Sequence, residues 1–374
     1  MDRKLFFERL AAPGVRRLQP YLPGKPNDEL EREYGIRESI KLASNENPLG
    51  PPAVALEAAR ACLPDMALYP DGSGFHLKAA LAAHLRLDPE RLTLGNGSND
   101  ILVLLAQTFL TPDVEVVYDE HAFIIYRLTA QAAGAISRVV PSNPVDGPQP
   151  YGHDLNAFGA ALTEQTRLVF IANPNNPTGT WVARDALYKF MVRVPEHAIV
   201  VVDEAYCEYV TRDDYPHTLD WLDEFPNLVI TRTFSKIYAL AGMRVGYAIS
   251  DPALAELLNR VRQPFNVGSP AQAAATAALA DQVFVAKARQ LNADGLQQLT
   301  EGLNAVGCRT VPSVANFVLV DVGQPADPIY ESLLRVGIIV RPVGNYGLPN
   351  HLRISVGLPE QNDRLLTEMK RLRK

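Results

Sequence analysis

Short apolar runs that stop abruptly at polar residues recur through the first two-thirds of the chain, with longer stretches of helical spacing between them. Residues 91–94, 114–118, 167–172, 198–202 and 228–230 are such runs, rich in Leu, Val and Ile, and they read as strands, the longer of them covered on both faces. Residues 53–62, 75–86, 101–110 and 184–192 read as helices, and 119–126 opens another. Strands alternating with helices predict right-handed crossovers and a mostly parallel sheet, hence an α/β fold. After about residue 270 the pattern changes. Helices at 271–279 and 281–305 precede a strand at 316–321, a helix at 328–336, strands at 337–341 and 352–356, and a basic helix at 360–374. This predicts a smaller α+β domain over 271–374, a large domain over 46–270, and an N-terminal arm over 1–45 that packs with the small domain. Residues 1–40 read as irregular, with an extended, turn-rich piece at 20–26. A short strand at 40–43 runs into Ser44-Asn-Glu-Asn-Pro-Leu-Gly50, a segment of turn formers that cannot continue a helix.

What ends the apolar runs is more informative than the runs themselves. Residues 167–172 stop at Asn173-Pro-Asn-Asn-Pro-Thr-Gly179, where two prolines and a glycine fix a loop. The next run ends in Asp203-Glu-Ala-Tyr206, and 228–230 leads to Thr233, Ser235 and Lys236. Open α/β sheets bind ligands beyond the C-terminal ends of their strands. Three successive ends therefore put Asn176, Asp203 with Tyr206, and Lys236 along one sheet edge. An acidic residue ending a strand is commonly a helix cap, and a lysine in a loop is commonly solvated. Beside Arg232 or Arg244 and partly desolvated, however, Lys236 would have a lowered pKa and a free amine for Schiff-base chemistry. The stretch Gly95-Asn-Gly-Ser-Asn-Asp100 sits between a strand and a helix start, where free N–H groups can hold an anion. The same residues also make ordinary tight turns, with Ser98 or Asn99 as a helix cap.

Composition narrows the classes. The 374 residues are 47 % apolar and 21 % charged, a globular balance, and the net charge of -6 offers nothing to nucleic acid or an anionic membrane. Cys62, Cys207 and Cys308 are odd in number and far apart, which suggests neither disulfides nor a zinc site, and no metal is expected. The charged N-terminus does not read as a signal peptide, and the apolar run 101–110 is too short to span a bilayer. A cytoplasmic protein is the expectation.

The spacing of Asn176 before Pro-Thr-Gly, Asp203 with Tyr206, and Ser235-Lys236 followed by Arg244 resembles the fold-type I pyridoxal-phosphate aminotransferases over nearly the whole chain. Tyr21-Leu-Pro-Gly-Lys-Pro26, Asn45-Glu-Asn-Pro48, Tyr69-Pro70, Gly95-Asn-Gly-Ser98 and Leu352-Arg-Ile-Ser-Val-Gly357 look like its histidinol-phosphate aminotransferase branch. That resemblance implies a large domain with a mostly parallel seven-stranded sheet between helices, and a smaller α+β domain. It implies pyridoxal phosphate as cofactor, with Lys236 as the Schiff-base and proton-shuttling lysine, Asp203 on the ring nitrogen, and Asn176 and Tyr206 on the phenolate oxygen. Phe123 would stack on the ring, where many relatives carry tyrosine. Ser98, Asn99, Thr233, Ser235 and Arg244 would hold the phosphate, joined by Tyr69 from the other subunit of a homodimer. Arg353 would clamp the anionic group of the amino donor and then of 2-oxoglutarate, with Arg341 and Tyr21 as second contacts to a substrate phosphate and Asn45 and Glu46 at the entrance. Arg341 reads equally as a solvated charge at a strand end.

The reaction so implied is transamination between L-histidinol phosphate and 2-oxoglutarate, in histidine biosynthesis. An aromatic or broad-range aminotransferase is the alternative, since Arg353 also suits an α-carboxylate, and a threonine-phosphate decarboxylase is a further one. A pyridoxal-phosphate regulator would need a basic DNA-binding module of roughly 60 extra residues, which an acidic chain with about 40 residues before the first motif does not provide. A nicotinamide dehydrogenase would need a GxGxxG fingerprint, and the glycine turn lacks it.

Overall fold

The computed structural model describes residues 3–20 and 24–373. Its strands in chain order are β1 (Ile40–Lys41), β2 (Leu92–Gly95), β3 (Glu115–Asp119), β4 (Ile136–Val140), β5 (Thr166–Ala172), β6 (Ile199–Asp203), β7 (Leu228–Thr233), β8 (Gly246–Ile249), β9 (Arg309–Thr310), β10 (Phe317–Asp321), β11 (Ile338–Ile339), β12 (Arg341–Val343) and β13 (Leu348–Ser355). Seven of them form one sheet in the order β2-β8-β7-β6-β5-β3-β4. Neighbours from β7 through β4 run parallel, and β8 is antiparallel to both β7 and β2. The α/β architecture matches the expectation.

Burial on both faces explains the continuous apolar runs. Along β6, Val200 and Val202 enter one core while Val201 enters the other; on β7, Leu228 and Ile230 face Val229 in the same way. The register then sets the site. Ala172 pairs with Asp203, Asp203 with Thr231, and Thr233 with Gly246, so the polar ends of neighbouring strands lie level along one edge.

A second, antiparallel sheet has the order β12-β13-β10-β9, packed with Leu299, Leu303, Leu365 and Met369 in a separate core. The division between the cores does not fall at residue 271. Helix Ser269–Ala280 gives Ala271, Ala274, Ala275 and Ala278 to the core of the large sheet. Helix Gln282–Ala305 then bridges the two, with Val285 and Ala288 in the large core and Leu299 and Leu303 in the small one.

Two local expectations are corrected. Residues 1–40 are not irregular throughout, since they carry helices Arg3–Leu10 and Asn27–Tyr34. The second has Asp28 and Glu29 in its first turn and ends at Gly35 in the left-handed region, φ 71°, signals that the prolines nearby obscure. The expected strand at 337–341 is split. β11 pairs parallel with β1, whereas β12 pairs antiparallel with β13, so the break lets one segment serve two sheets. β4 is readable only from its partner, because four of its five side chains are exposed.

Candidate active site

At the C-terminal edge of the large sheet lies a cavity of about 280 Å³. Asn45, Glu46, Ser98, Asn99, Phe123, Asn176, Asp203, Tyr206, Thr233, Ser235, Lys236, Arg244, Arg341 and Arg353 all line it. The sequence scatters these residues over 300 positions, and the fold brings them together. Tyr21 lies outside the described residues. Tyr69 is elsewhere on this chain: it is 81 % exposed and stacks on Phe265 at 4.8 Å between ring centroids.

Lys236 reaches the cavity because β7 ends at Thr233 and the buried Phe234 anchors the turn that follows. Its Nζ donates to the Ser44 carbonyl at 3.3 Å and lies 5.5 Å from the Tyr206 ring centroid. Burial holds the ammonium down to about pKa 7; the Arg353 and Arg244 cations push the same way, against Glu46 and Asp203. An amine with that pKa is substantially unprotonated at neutral pH.

Asp203, buried at the end of β6, is gripped by two hydroxyls: Tyr126 donates to Oδ2 at 2.8 Å and Thr231 to Oδ1 at 2.8 Å. Burial raises the carboxyl pKa, and these hydrogen bonds oppose it. Tyr206 accepts a hydrogen bond from Asn45 Nδ2 at 2.9 Å, and burial pushes its phenol up to about 12. Neither Tyr126 nor Thr231 is among the residues expected from sequence. The signal for both is periodicity: Thr231 shares a strand face with Thr233, and Tyr126 shares a helix face with Phe123.

The far end of the cavity is built for an anion. Gly97, at φ 79°, caps helix Ser98–Phe109, whose first N–H groups open onto it. Arg244 Nη1 donates to Ser235 Oγ at 3.3 Å, and Thr233 Oγ1 donates to the same oxygen at 3.0 Å. The approach is tight. A Cβ on Gly97 would sit 2.6 Å from Arg244 Nη2, and one on Gly246 would sit 2.3 Å from the Ser98 nitrogen.

Arg353 lies on β13, buried, with Nη1 donating to Asn176 Oδ1 at 2.5 Å and Nη2 to the Ala43 carbonyl at 2.5 Å. Directly opposite it across the antiparallel ladder stands Arg341, on β12. Like charges facing each other cost stability unless an anion is placed between or beside them. Glu46, at the mouth, pairs with Lys41 at 2.9 Å. Among the described residues no group of three or more His, Cys, Asp or Glu side chains is arranged to hold a metal ion, and no helix is long and apolar enough to cross a membrane.

Residues 37–369 match the family model for class I and II aminotransferases. The chain is 53 % identical over 368 residues to a histidinol-phosphate aminotransferase of Pseudomonas fluorescens, covering 98 % of each. It is 54 % identical over 362 residues to one from Pseudomonas aeruginosa, covering 96 % of each. Among solved structures, the histidinol-phosphate aminotransferase of Sinorhizobium meliloti in complex with pyridoxal-5'-phosphate superposes with a TM-score of 0.89 at 30 % identity, covering 97 % of both chains.

Proposed function

The chain belongs to the class I and II aminotransferase family, and on that premise we propose that it transfers the amino group of L-histidinol phosphate to 2-oxoglutarate with pyridoxal phosphate as cofactor. The observation that carries the choice of donor is the pairing of Arg341 with Arg353 across β12 and β13 in the wall of the cavity. Two guanidiniums in one wall suit a dianionic phosphate, and one of them alone suits a carboxylate. Histidinol phosphate in the first half-reaction and 2-oxoglutarate in the second present those groups in turn.

The donor set fits the cofactor at both of its ends. Asp203 would hold the ring nitrogen, Asn176 and Tyr206 the phenolic oxygen, and Phe123 one face of the ring. The helix start at Ser98 and Asn99, with Thr233, Ser235 and Arg244, would hold the phosphate, and the absence of a Cβ at Gly97 lets the Arg244 guanidinium close on that end. When bound, pyridoxal phosphate withdraws electrons from the substrate carbon that carries the amino group.

The protein's part is binding and proton transfer. Lys236, with its pKa near 7, would hold the cofactor and, when freed by the incoming donor, would be the neutral amine that accepts the proton from the substrate carbon. Arg353, fixed by Asn176 and Ala43, orients the donor so that this carbon faces Nζ. The carboxylate of Asp203, in a dry setting, keeps a proton on whatever base faces it. Unpaired Cys62, Cys207 and Cys308 suit a reducing, cytoplasmic setting. Met66, Leu68, Tyr69 and Phe75 are large apolar side chains left exposed over one short stretch, which a second copy of the chain would cover, delivering Tyr69 to its phosphate end.

A donor panel on the cofactor-loaded protein tests the reading. Histidinol phosphate should outperform both unphosphorylated histidinol and phenylalanine by about 2–3 kcal/mol in kcat/KM, on the order of a hundredfold, with glutamate as product. Arg341→Gln should erase that preference. Preference for phenylalanine would make the chain an aromatic aminotransferase, and carbon dioxide release without amino transfer would make it a lyase.

A further inference from the structure

The sheet sorts two adjacent carboxylates to opposite faces and gives them different partners. Glu204 receives the half-buried guanidinium of Arg232 through Nε at 2.9 Å and Nη2 at 2.7 Å, together with the Thr218 hydroxyl. Asp203, one residue earlier, receives only hydroxyls among the described side chains, from Tyr126 and Thr231. The same alternation on β7 places Thr231 beside Asp203 and Arg232 beside Glu204. A one-residue slip would exchange the partners and seat an arginine on Asp203.

We propose that Tyr126 and Thr231 are positioning residues that keep Asp203 an ionised, buried carboxylate with no directly hydrogen-bonded side-chain cation, so that its close counter-charge is the protonated nitrogen of the bound cofactor. This rests on the reading of Asp203 as the group facing that nitrogen. Hydroxyl donors favour the carboxylate without neutralising it, whereas an arginine in their place would satisfy its charge beforehand and weaken its hold on the cofactor. Tyr126 is suited to this by its rigidity. Its ring is wholly buried, stacked on Phe170 at 4.6 Å and 3° and held edge-on by Phe123 at 5.9 Å. Helix Ile124–Ala133 thereby links the ring-facing residue Phe123 to the acid beneath.

The other charged and titratable groups around Asp203 are Glu204 beside it, Lys236 across the cavity, and the Tyr206 phenol on the turn after β6. Glu204 disfavours the carboxylate and Lys236 favours it, the Asp203 charge pushes the Tyr206 phenol up, and none of the three is hydrogen-bonded to Asp203. Removing the Tyr126 hydroxyl leaves burial less opposed, so Asp203 protonates at a higher pH. Cofactor retention then fails earlier as pH falls.

The experiment is equilibrium dialysis of pyridoxal phosphate against the full-length protein across an acid titration, for wild type, Tyr126→Phe, Thr231→Val and Asp203→Asn. Thermal melting of each apo-protein serves as a fold check. Tyr126→Phe should raise the midpoint of cofactor loss by about one pH unit, which below the midpoint is roughly tenfold weaker binding. Thr231→Val should move it the same way, so the test survives if one variant fails to fold. Asp203→Asn should bind weakly at every pH with no acid limb of this kind. Profiles of both hydroxyl variants superimposable on wild type, with Asp203→Asn impaired, would overturn the proposal alone. An Asp203→Asn profile equal to wild type would instead overturn the assignment beneath it.

Discussion

Arg353 lies on β13 of the small sheet and Asn176 in the turn after β5 of the large one, yet Nη1 of the arginine donates to Oδ1 of the asparagine at 2.5 Å. The residue proposed to grip substrate and one proposed to face the cofactor are thus braced against each other, and the second nitrogen of the same guanidinium is tied to the arm at Ala43. A lysine has neither the planar fork nor the reach to replace both bonds. Arg353→Lys should therefore lower kcat/KM for histidinol phosphate and for 2-oxoglutarate alike, by about 2–4 kcal/mol. Cofactor affinity should change much less. Steady-state kinetics with each substrate varied in turn checks this, and an effect confined to one substrate would mean that the two anions use different clamps.

Lys236 carries a pH dependence of the apo-protein whose sign is fixed. Its pKa falls from an ordinary 10.5 to about 7 on folding. Between those values the unfolded chain binds more protons than the native one, so native stability climbs as pH rises from about 7 toward 10.5, and the full penalty is present below 7. Lys236→Met removes the charge to be buried. Urea unfolding of apo wild type and variant at pH 7 and pH 9.5 should show the variant the more stable at pH 7, with the gap narrowing at pH 9.5. A gap that widens with pH would contradict a desolvated amine. The same variant should have no transaminase activity.

Much of this site is legible in the sequence because strand ends are marked by chemistry that a buried strand cannot carry. Asn176, Asp203 and Lys236 each follow an uninterrupted apolar run, and parallel topology then aligns them without further information. The partners of Asp203 are less legible, since Tyr126 comes from a helix, stacked on Phe170 of β5, that no sequence pattern sets beside the end of β6. β8 is hidden for another reason: it is antiparallel, and Gly246-Tyr-Ala-Ile follows so closely on the Arg244 turn that it reads as more of the same loop. β11 and β12 form one apolar stretch in sequence, and only the presence of β1 on one side and β13 on the other divides them.

Gly97 and Gly246 give the end of the cavity proposed to hold the phosphate a steric test. Gly97 is left-handed at φ 79°, and its missing Cβ makes room for Arg244, so Gly97→Ala carries both backbone strain and a contact of 2.6 Å with the guanidinium. The arginine is the far end of a flexible chain and will give way. The expected result is a loss of about 1–2 kcal/mol in stability and at least tenfold weaker cofactor binding, read by dialysis. Gly246→Ala meets backbone, the Ser98 nitrogen at 2.3 Å, and should be far more destructive to folding. Equal, small effects on melting temperature for the two would refute the distinction.

Tyr69 supplies the test of assembly. In its own chain the ring is 81 % exposed and stacked on Phe265, and it does not line the cavity. If it serves the partner's phosphate end, Tyr69→Ala homodimers should bind cofactor about ten- to a hundredfold more weakly, the loss of a hydrogen bond to a charged group. Lys236→Ala homodimers should be inactive for a separate reason. A hybrid of one Tyr69→Ala subunit and one Lys236→Ala subunit contains one site with its own Lys236 and a Tyr69 from across the interface. Refolding an equal mixture should recover up to about a quarter of wild-type activity at limiting cofactor, since half the dimers are hybrids with one intact site each. A tyrosine acting within its own chain leaves no site intact in any dimer, and the mixture would then show no gain over its separate components.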